Sequence, residues 1–186
     1  MNMRTEAADP MTCCFIYRNL HSTFDMSQRT DTTSSFIEDY MILKLEEFGF
    51  DRPDLLGLHC LNRNRCPPQR TLQYFAEESS AILINLDLED TLAKLHISKD
   101  SLLTTFLFLA DALFGEDVLS WWKIVALIDL ASQMAVMCVD RELPTMVASI
   151  LSWTIRYMEN RNVRHWIEEN GGWEKLMSYE EHGLGH

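Results

Sequence analysis

The sequence predicts an all-α protein, a globular bundle of about eight helices around a central apolar helical hairpin. Apolar residues recur three or four positions apart along most of the chain, and no segment has a convincing strand pattern. The segment from Leu119 to Val139 is apolar on nearly all sides, with Lys123 and Asp129 as its only charges. A helix of this composition is typically buried in the centre of a protein.

A second apolar helix is predicted to follow this central one. Asp140-Arg141-Glu142 forms a turn, and Pro144 opens a helix that runs to about Met158. Because the connection is short, the two helices are expected to pack side by side in opposite directions.

The N-terminal part predicts an arm, a helix and a connector. Residues 1–30 lack clean periodicity and are interpreted as a loosely ordered arm, ahead of a helical domain over 31–180 and a polar tail over 181–186. Ser34 or Ser35 can cap the first helix, with Glu38 as the capping-box carboxylate and Gly49 at its end. A connector over 51–68 follows.

The remaining helices are placed by their turn residues. One begins after Pro67-Pro68, and 88–95 forms a short helix or turn. Ser98 to Asp100 can cap a helix that runs from Ser101 to about Phe114 and is broken by Gly115. Two last helices, over 160–170 and 173–183, are separated by Gly171-Gly172.

The charge excludes some partners. The 186 residues fit one domain, and the net charge is −12. Such an acidic chain lacks the basic surface of nucleic-acid binders and of basic peripheral membrane proteins. Between Glu77 and Asp117 stand nine acidic residues but only Lys94 and Lys99. The acidic excess is therefore local, and a solvated acidic face is the interpretation that requires no partner.

The cysteines indicate a reduced, intracellular protein without a metal or cofactor. Their number, five, is odd, and the N-terminus has no signal-peptide pattern. His59, Cys60 and Cys66 suggest zinc, but no second ligand pair has zinc-site spacing. No uncharged apolar run reaches the length of a membrane span. The sequence ends in the polar segment EHGLGH, which does not have the pattern of a C-terminal anchor.

No pattern of catalytic residues is present, so we expect no enzyme. The six histidines are scattered, and His165 beside Trp166 is interpreted as a packing or surface residue. Asp129 could be a perturbed carboxylate, although such a residue more often faces outward or caps a neighbouring helix. An unrelated helical enzyme is the alternative of another class.

The segment WIEENGGW, from Trp166 through Gly171 and Gly172 to Trp173, resembles the second homology region of the B-cell lymphoma 2 (Bcl) family of apoptosis regulators. Its Gly-Gly pair turns the chain, and Trp173 is expected to fasten the next helix to the bundle. The segment FGEDVLSWWKIVA, over 114–126, resembles the first homology region and contains Trp121. Residues 40–50 are similar to the fourth region, and residues 72–77, more weakly, to the third.

The resemblance implies a non-enzymatic regulator with an apolar groove for the amphipathic death helix of pro-apoptotic relatives. Ser120, Trp122 and Lys123 stand where the family has asparagine, glycine and arginine. That arginine pairs with an aspartate of the captured helix, so Lys123 is expected to be the charge partner and Ser120 a polar helper. The expected apolar lining, with ordinary core as the alternative, is Leu83, Leu86, Leu113, Val125, Ala126 and Leu130.

The fourth-region-like helix favours a pro-survival member. The competing hypothesis is a pore-forming pro-death member, whose apolar hairpin over 121–158 would insert into the mitochondrial outer membrane. The chain as given is expected in the cytoplasm, and a longer form with a C-terminal anchor at the mitochondrial outer membrane.

Overall fold

The computed structural model describes residues 32–50, 56–58, 71–77, 92, 98–115 and 118–177. Within these ranges it contains six α-helices with defined bounds, one 3-10 helix and a further α-helical stretch over 71–77, but no strand, which confirms the all-α bundle. The predicted arm, the polar tail and the zinc candidates lie outside the described residues. The elements are α1 (Thr32–Glu47), α2 (Leu102–Phe114), α3 (Trp121–Asp140), the 3-10 helix (Pro144–Met146), α4 (Val147–Asn160), α5 (Val163–Glu169) and α6 (Gly172–Met177).

Helix α3 is the centre of the bundle. It packs against α1, α2 and α4, and most of its residues are buried. The turn after Asp140 and the 3-10 helix starting at Pro144 lead directly into α4, which packs back along α3. The predicted hairpin is thereby confirmed. The driving force is the removal of apolar surface from water on every side of α3.

Helix α1 begins earlier than the capping pattern predicted. Its first residue is Thr32, and Ser34 and Ser35 lie buried within the first turn, so the prediction that either caps the helix is wrong. Both hydroxyl groups belong to a turn that is packed into the bundle. The predicted end is confirmed, because Gly49 has φ of +97° and the amides of Gly49 and Phe50 donate to the carbonyls of Glu46 and Leu45.

Helix α2 begins and ends where the sequence predicted. The Ser98 hydroxyl accepts from the Ser101 amide at 3.3 Å, and the Ser101 hydroxyl accepts from the Ser98 amide at 3.0 Å. This reciprocal pair fixes the turn that leads into α2, whereas Ser101, the N-cap residue, forms no side-chain capping hydrogen bond. At the other end, the Gly115 amide donates to the Asp111 carbonyl at 2.9 Å.

The Gly-Gly pair separates α5 from α6. Gly171 has φ of +92°, and a β-carbon there would lie 3.0 Å from the β-carbon of Lys175. A side chain at this position would therefore be both strained and crowded. The turn directs Trp173 back into the core, where only 5% of the residue is exposed.

Candidate helix-binding surface

The outer face of α2 is apolar. Phe108 is 72% exposed and Ala112 is exposed, while Leu109 and Leu113 are half-buried. Residues four apart are neighbours on a helix, so these four side chains form one continuous patch, called here the α2 face. Val118, 84% exposed, stands in the turn that follows α2. An exposed apolar patch on a helix is a candidate binding site.

The groove residues expected from the sequence fall into three groups. Leu113 belongs to the α2 face. Val125, Ala126 and Leu130 are fully buried in α3. Their burial agrees with the alternative interpretation that they are ordinary core residues. The predictions for Leu83 and Leu86 lie outside the described residues.

The start of α3 contains buried polar atoms. Ser120 is the N-cap residue, with extended backbone, but its hydroxyl forms no capping hydrogen bond. Within the part of the chain that the structure describes, neither Ser120 Oγ nor the indole nitrogen of Trp121 has a hydrogen-bond partner. Trp122 is half-buried beside them.

Lys123 points into the protein. Only 4% of the residue is exposed, and its ammonium group donates to the carbonyl oxygen of Phe114 at 2.9 Å. The same nitrogen lies 5.8 Å from the ring centre of Trp122, within the range of a cation–π contact. Phe114 is the last residue of α2, where the helix dipole favours a positive charge.

Arg161 binds the same end of α2 from the other side. Its guanidinium group donates to Asp111 Oδ1 at 2.8 Å and to the carbonyl of Gly115 at 3.4 Å. The hydroxyl of Tyr157 also donates to Asp111 Oδ1, at 2.7 Å. Burial, with this hydrogen bond and the nearby carboxylate, raises the pKa of Tyr157 above its ordinary value. The end of α2 is therefore held by α3 and α4 together.

The tryptophans of the two best-matched regions meet in the core. Trp173 stacks on Phe36 of α1 with ring centres 4.0 Å apart, and its indole nitrogen donates to the hydroxyl of Thr33 at 3.4 Å. Trp121 contacts Trp166 edge to face at 5.2 Å. These contacts join α1, α3, α5 and α6. They account physically for tryptophan at these positions, since aromatic pairs bury large areas in a defined geometry.

Asp129 does not face outward, so that expectation from the sequence is wrong. The residue is fully buried in the middle of α3, and the hydroxyl of Tyr40 donates to its carboxylate. Its position opposite α1 explains this, because a buried carboxylate requires hydrogen-bond donors from a neighbouring helix. His165 is exposed, 3.2 Å from Glu169. Within the described ranges, no cluster of His, Cys, Asp and Glu could hold a metal ion.

A family model described as "Apoptosis regulator proteins, Bcl-2 family" matches residues 82–173. This match includes α2, the start of α3 and the Gly-Gly-Trp motif, and it lies within a helical bundle of the fold that the resemblance implied.

The chain belongs to the Bcl-2 family.

Relatives with different names within the Bcl-2 family match at similar identity. Apoptosis regulator BAX of Mus musculus is 30% identical over 95 residues, which cover 51% of this chain and 48% of BAX. Bcl-2-like protein 1 of Rattus norvegicus is 34% identical over 88 residues, which cover 47% of this chain and 37% of that protein. The match thus spans about half the length of these relatives, or less.

Two solved structures share the fold. Chicken BOK superposes with a TM-score of 0.62 at 18% identity, covering 79% of this chain and 93% of that one. Trichoplax adhaerens trBcl-2L2, described as bound to trBak BH3, superposes with a TM-score of 0.63 at 22% identity, covering 78% and 95%. At these identities the likeness establishes the Bcl-2 fold alone.

Sequence reasoning missed Phe108, Leu109 and Ala112 on α2, and Arg161 at its end. A signal for the first three was present, because α2 is apolar on more sides than one buried face requires. Arg161 offered no such signal, since its ion pair joins residues 50 positions apart. Among the residues that the structure describes, α3 is the one helix that is both long and apolar enough to cross a membrane. The sequence has no uncharged run of this length because Lys123 and Asp129 interrupt the segment.

Proposed function

We propose that the chain is a pro-survival regulator of apoptosis that captures the amphipathic death helix of pro-apoptotic relatives on the α2 face. The exposed apolar side chains of the α2 face, above all Phe108, are the observation that carries this proposal. An amphipathic helix buries its apolar side against a surface of this kind. The description of trBcl-2L2 as bound to trBak BH3 supports a partner of the same class for this chain.

The proposed groove extends beyond the α2 face. In this proposal Leu83 and Leu86 supply the opposite wall, within a helical domain over 31–180. Val125, Ala126 and Leu130, buried in α3, support the groove from beneath as its floor.

The acidic excess between Glu77 and Asp117 is proposed to speed the capture of basic-flanked helices. Long-range attraction raises association rates and is screened by salt. The association rate of a basic-flanked death-helix peptide should therefore fall as the salt concentration rises. An association rate that does not change with salt would contradict the steering role and leave the apolar contacts as the basis of binding.

Titration with a panel of fluorescent death-helix peptides tests the main proposal. At least one peptide should bind at micromolar concentration or below, and Phe108→Glu should weaken it about tenfold or more, because a charge would be buried under the partner. The matched control is Phe48→Glu, at another exposed phenylalanine, on which the affinity should not depend. Failure of every peptide at micromolar concentration would defeat the proposal.

A second candidate is a pro-death member that permeabilises the mitochondrial outer membrane. The length and apolar composition of α3 favour it, although the buried core helix of a globular protein has the same properties. Liposomes loaded with dye separate the two candidates. A pro-survival member should release no dye with an activating peptide present, whereas release would support the pro-death candidate.

A further inference from the structure

The two lysines that flank α2 have opposite environments. Lys99 precedes the helix and is exposed, whereas Lys123 meets its last carbonyl and is 4% exposed. The last four carbonyls of a helix have no partner within it, and a cation there also offsets the negative end of the dipole. The ammonium of Lys123 supplies this partner at 2.9 Å.

Two contacts fix the direction of the Lys123 ammonium group. The amine lies between the Phe114 carbonyl and the ring of Trp122, at 2.9 and 5.8 Å. Breaking the contacts of a buried ammonium group costs more free energy than a new ion pair at the surface would contribute. The reason is that exposed ion pairs contribute little to stability or binding. A partner carboxylate in the proposed groove would have to break these contacts before it could pair with Lys123.

We propose that Lys123 is the internal C-terminal cap of α2, and that the groove selects its partner by apolar anchors without a charge pair to this lysine. The second half rests on the function proposed above. Lys123 is then a positioning residue, since it fixes the end of α2 and with it the α2 face. The partner class is an amphipathic helix whose acidic residue adds little affinity.

Stability without any partner tests the first half. Lys123→Met keeps the length of the stem but removes the donor, so the folding equilibrium constant should fall about tenfold or more in urea titrations. The control Lys99→Met, at the other end of α2, should change it less than about twofold. Amide hydrogen exchange should accelerate at Gly115 in Lys123→Met alone. Equal effects of the two substitutions would overturn the cap.

Peptide pairs test the second half on the unmodified protein. A death-helix peptide and its Asp→Asn version should bind within about twofold of each other, and the ratio should be the same for Lys123→Met. A ratio above tenfold that disappears in Lys123→Met would establish the charge pair and overturn the proposal. If no peptide binds, the proposed function fails, and stability and exchange still decide the role of Lys123. If Lys123→Met does not fold, the peptide ratio on the unmodified protein decides.

Discussion

Two polar contacts between elements of the bundle differ in their exposure to water. Against α1, the carboxylate of Asp129 and the hydroxyl of Tyr40 meet in a fully buried, aromatic-rich interface. Near the end of α2, Arg161 and Asp111 meet where about a third of each side chain is exposed. Water can replace a lost contact at the second site but not at the first. The first contact therefore fixes the fold, and the second lies where the bundle can adjust to a partner.

The largest loss of stability is expected from the buried aromatic contacts of α1. Trp173→Ala removes the ring that stacks on Phe36 and should lower the free energy of unfolding by about 3–5 kcal/mol, because it leaves a large cavity. The control Phe48→Ala, at a ring that is 49% exposed, should cost about 1 kcal/mol or less. Urea titration measures both, and similar losses would show that Trp173 does not fasten α6 to the core.

Cys138 extends the comparison to the other end of α3. Burial raises the pKa of its thiol from the ordinary 9.0 to about 11, with Arg141 acting in the opposite direction. At pH 8 the folded protein should hold about 100-fold less thiolate at this residue than the unfolded chain. Alkylation by iodoacetamide should therefore be about tenfold slower or more, because the lower thiolate fraction outweighs the greater nucleophilicity of a thiolate with a higher pKa, and peptide mapping measures this rate.

The sign of the stability effect follows from the raised pKa of Cys138. The folded state holds the thiol proton of Cys138 more tightly than the unfolded state does. The contribution of the protonated thiol to the free energy of unfolding is therefore fully present below pH 9 and is lost as the pH rises to about 11. Alkylation of Cys138 at the same rate in folded and urea-unfolded protein would show that this end of α3 is open to solvent.

Two tyrosine–aspartate hydrogen bonds, Tyr40 to Asp129 and Tyr157 to Asp111, allow a direct comparison of a fully buried and a partly exposed contact. Tyr40→Phe should cost about 1–3 kcal/mol, because it removes a donor from the fully buried Asp129. Tyr157→Phe removes the donor to Asp111, which is 38% exposed and can bind water, so it should cost about 1 kcal/mol or less. Equal losses in thermal unfolding would break the distinction between the two sites.

The smallest loss of stability is expected at the partly exposed ion pair between Arg161 and Asp111. Arg161→Met removes a partly exposed ion pair, which should cost about 1 kcal/mol or less at low salt and less still in 1 M salt. The matched control Arg164→Met removes an exposed pair with Glu168 within one helix. If the loss of stability in Arg161→Met does not change with salt concentration, this ion pair behaves like the buried contact between Tyr40 and Asp129.

Periodicity and turn residues predicted the bundle because they are local signals. The reciprocal serines at 98 and 101, the glycines at 49 and 171 and the apolar run of α3 each act within a few residues. The early start of α1 at Thr32 was missed, because the burial of Ser34 and Ser35 depends on distant helices.

The candidate site was predicted less completely than the fold. Leu113 was identified, whereas Phe108 of the same α2 face was assigned to no site, since a spacing pattern cannot tell which side of a largely apolar helix meets water. The direction of Lys123 was equally hidden. Its nearest acceptor, the carbonyl of Phe114, is a backbone atom that no residue pattern reveals.

The burial of Asp129 also bears on the energy of entering a bilayer. The residue is the ninth of the 20 in α3, so it would lie near the bilayer midplane if the helix crossed a membrane. An aspartate at that depth costs about 2.5–3.5 kcal/mol on insertion scales. In addition, α3 would have to leave the hydroxyl of Tyr40, which supports Asp129 inside the bundle. The residue that ties α3 to α1 thus also opposes transfer of α3 into lipid.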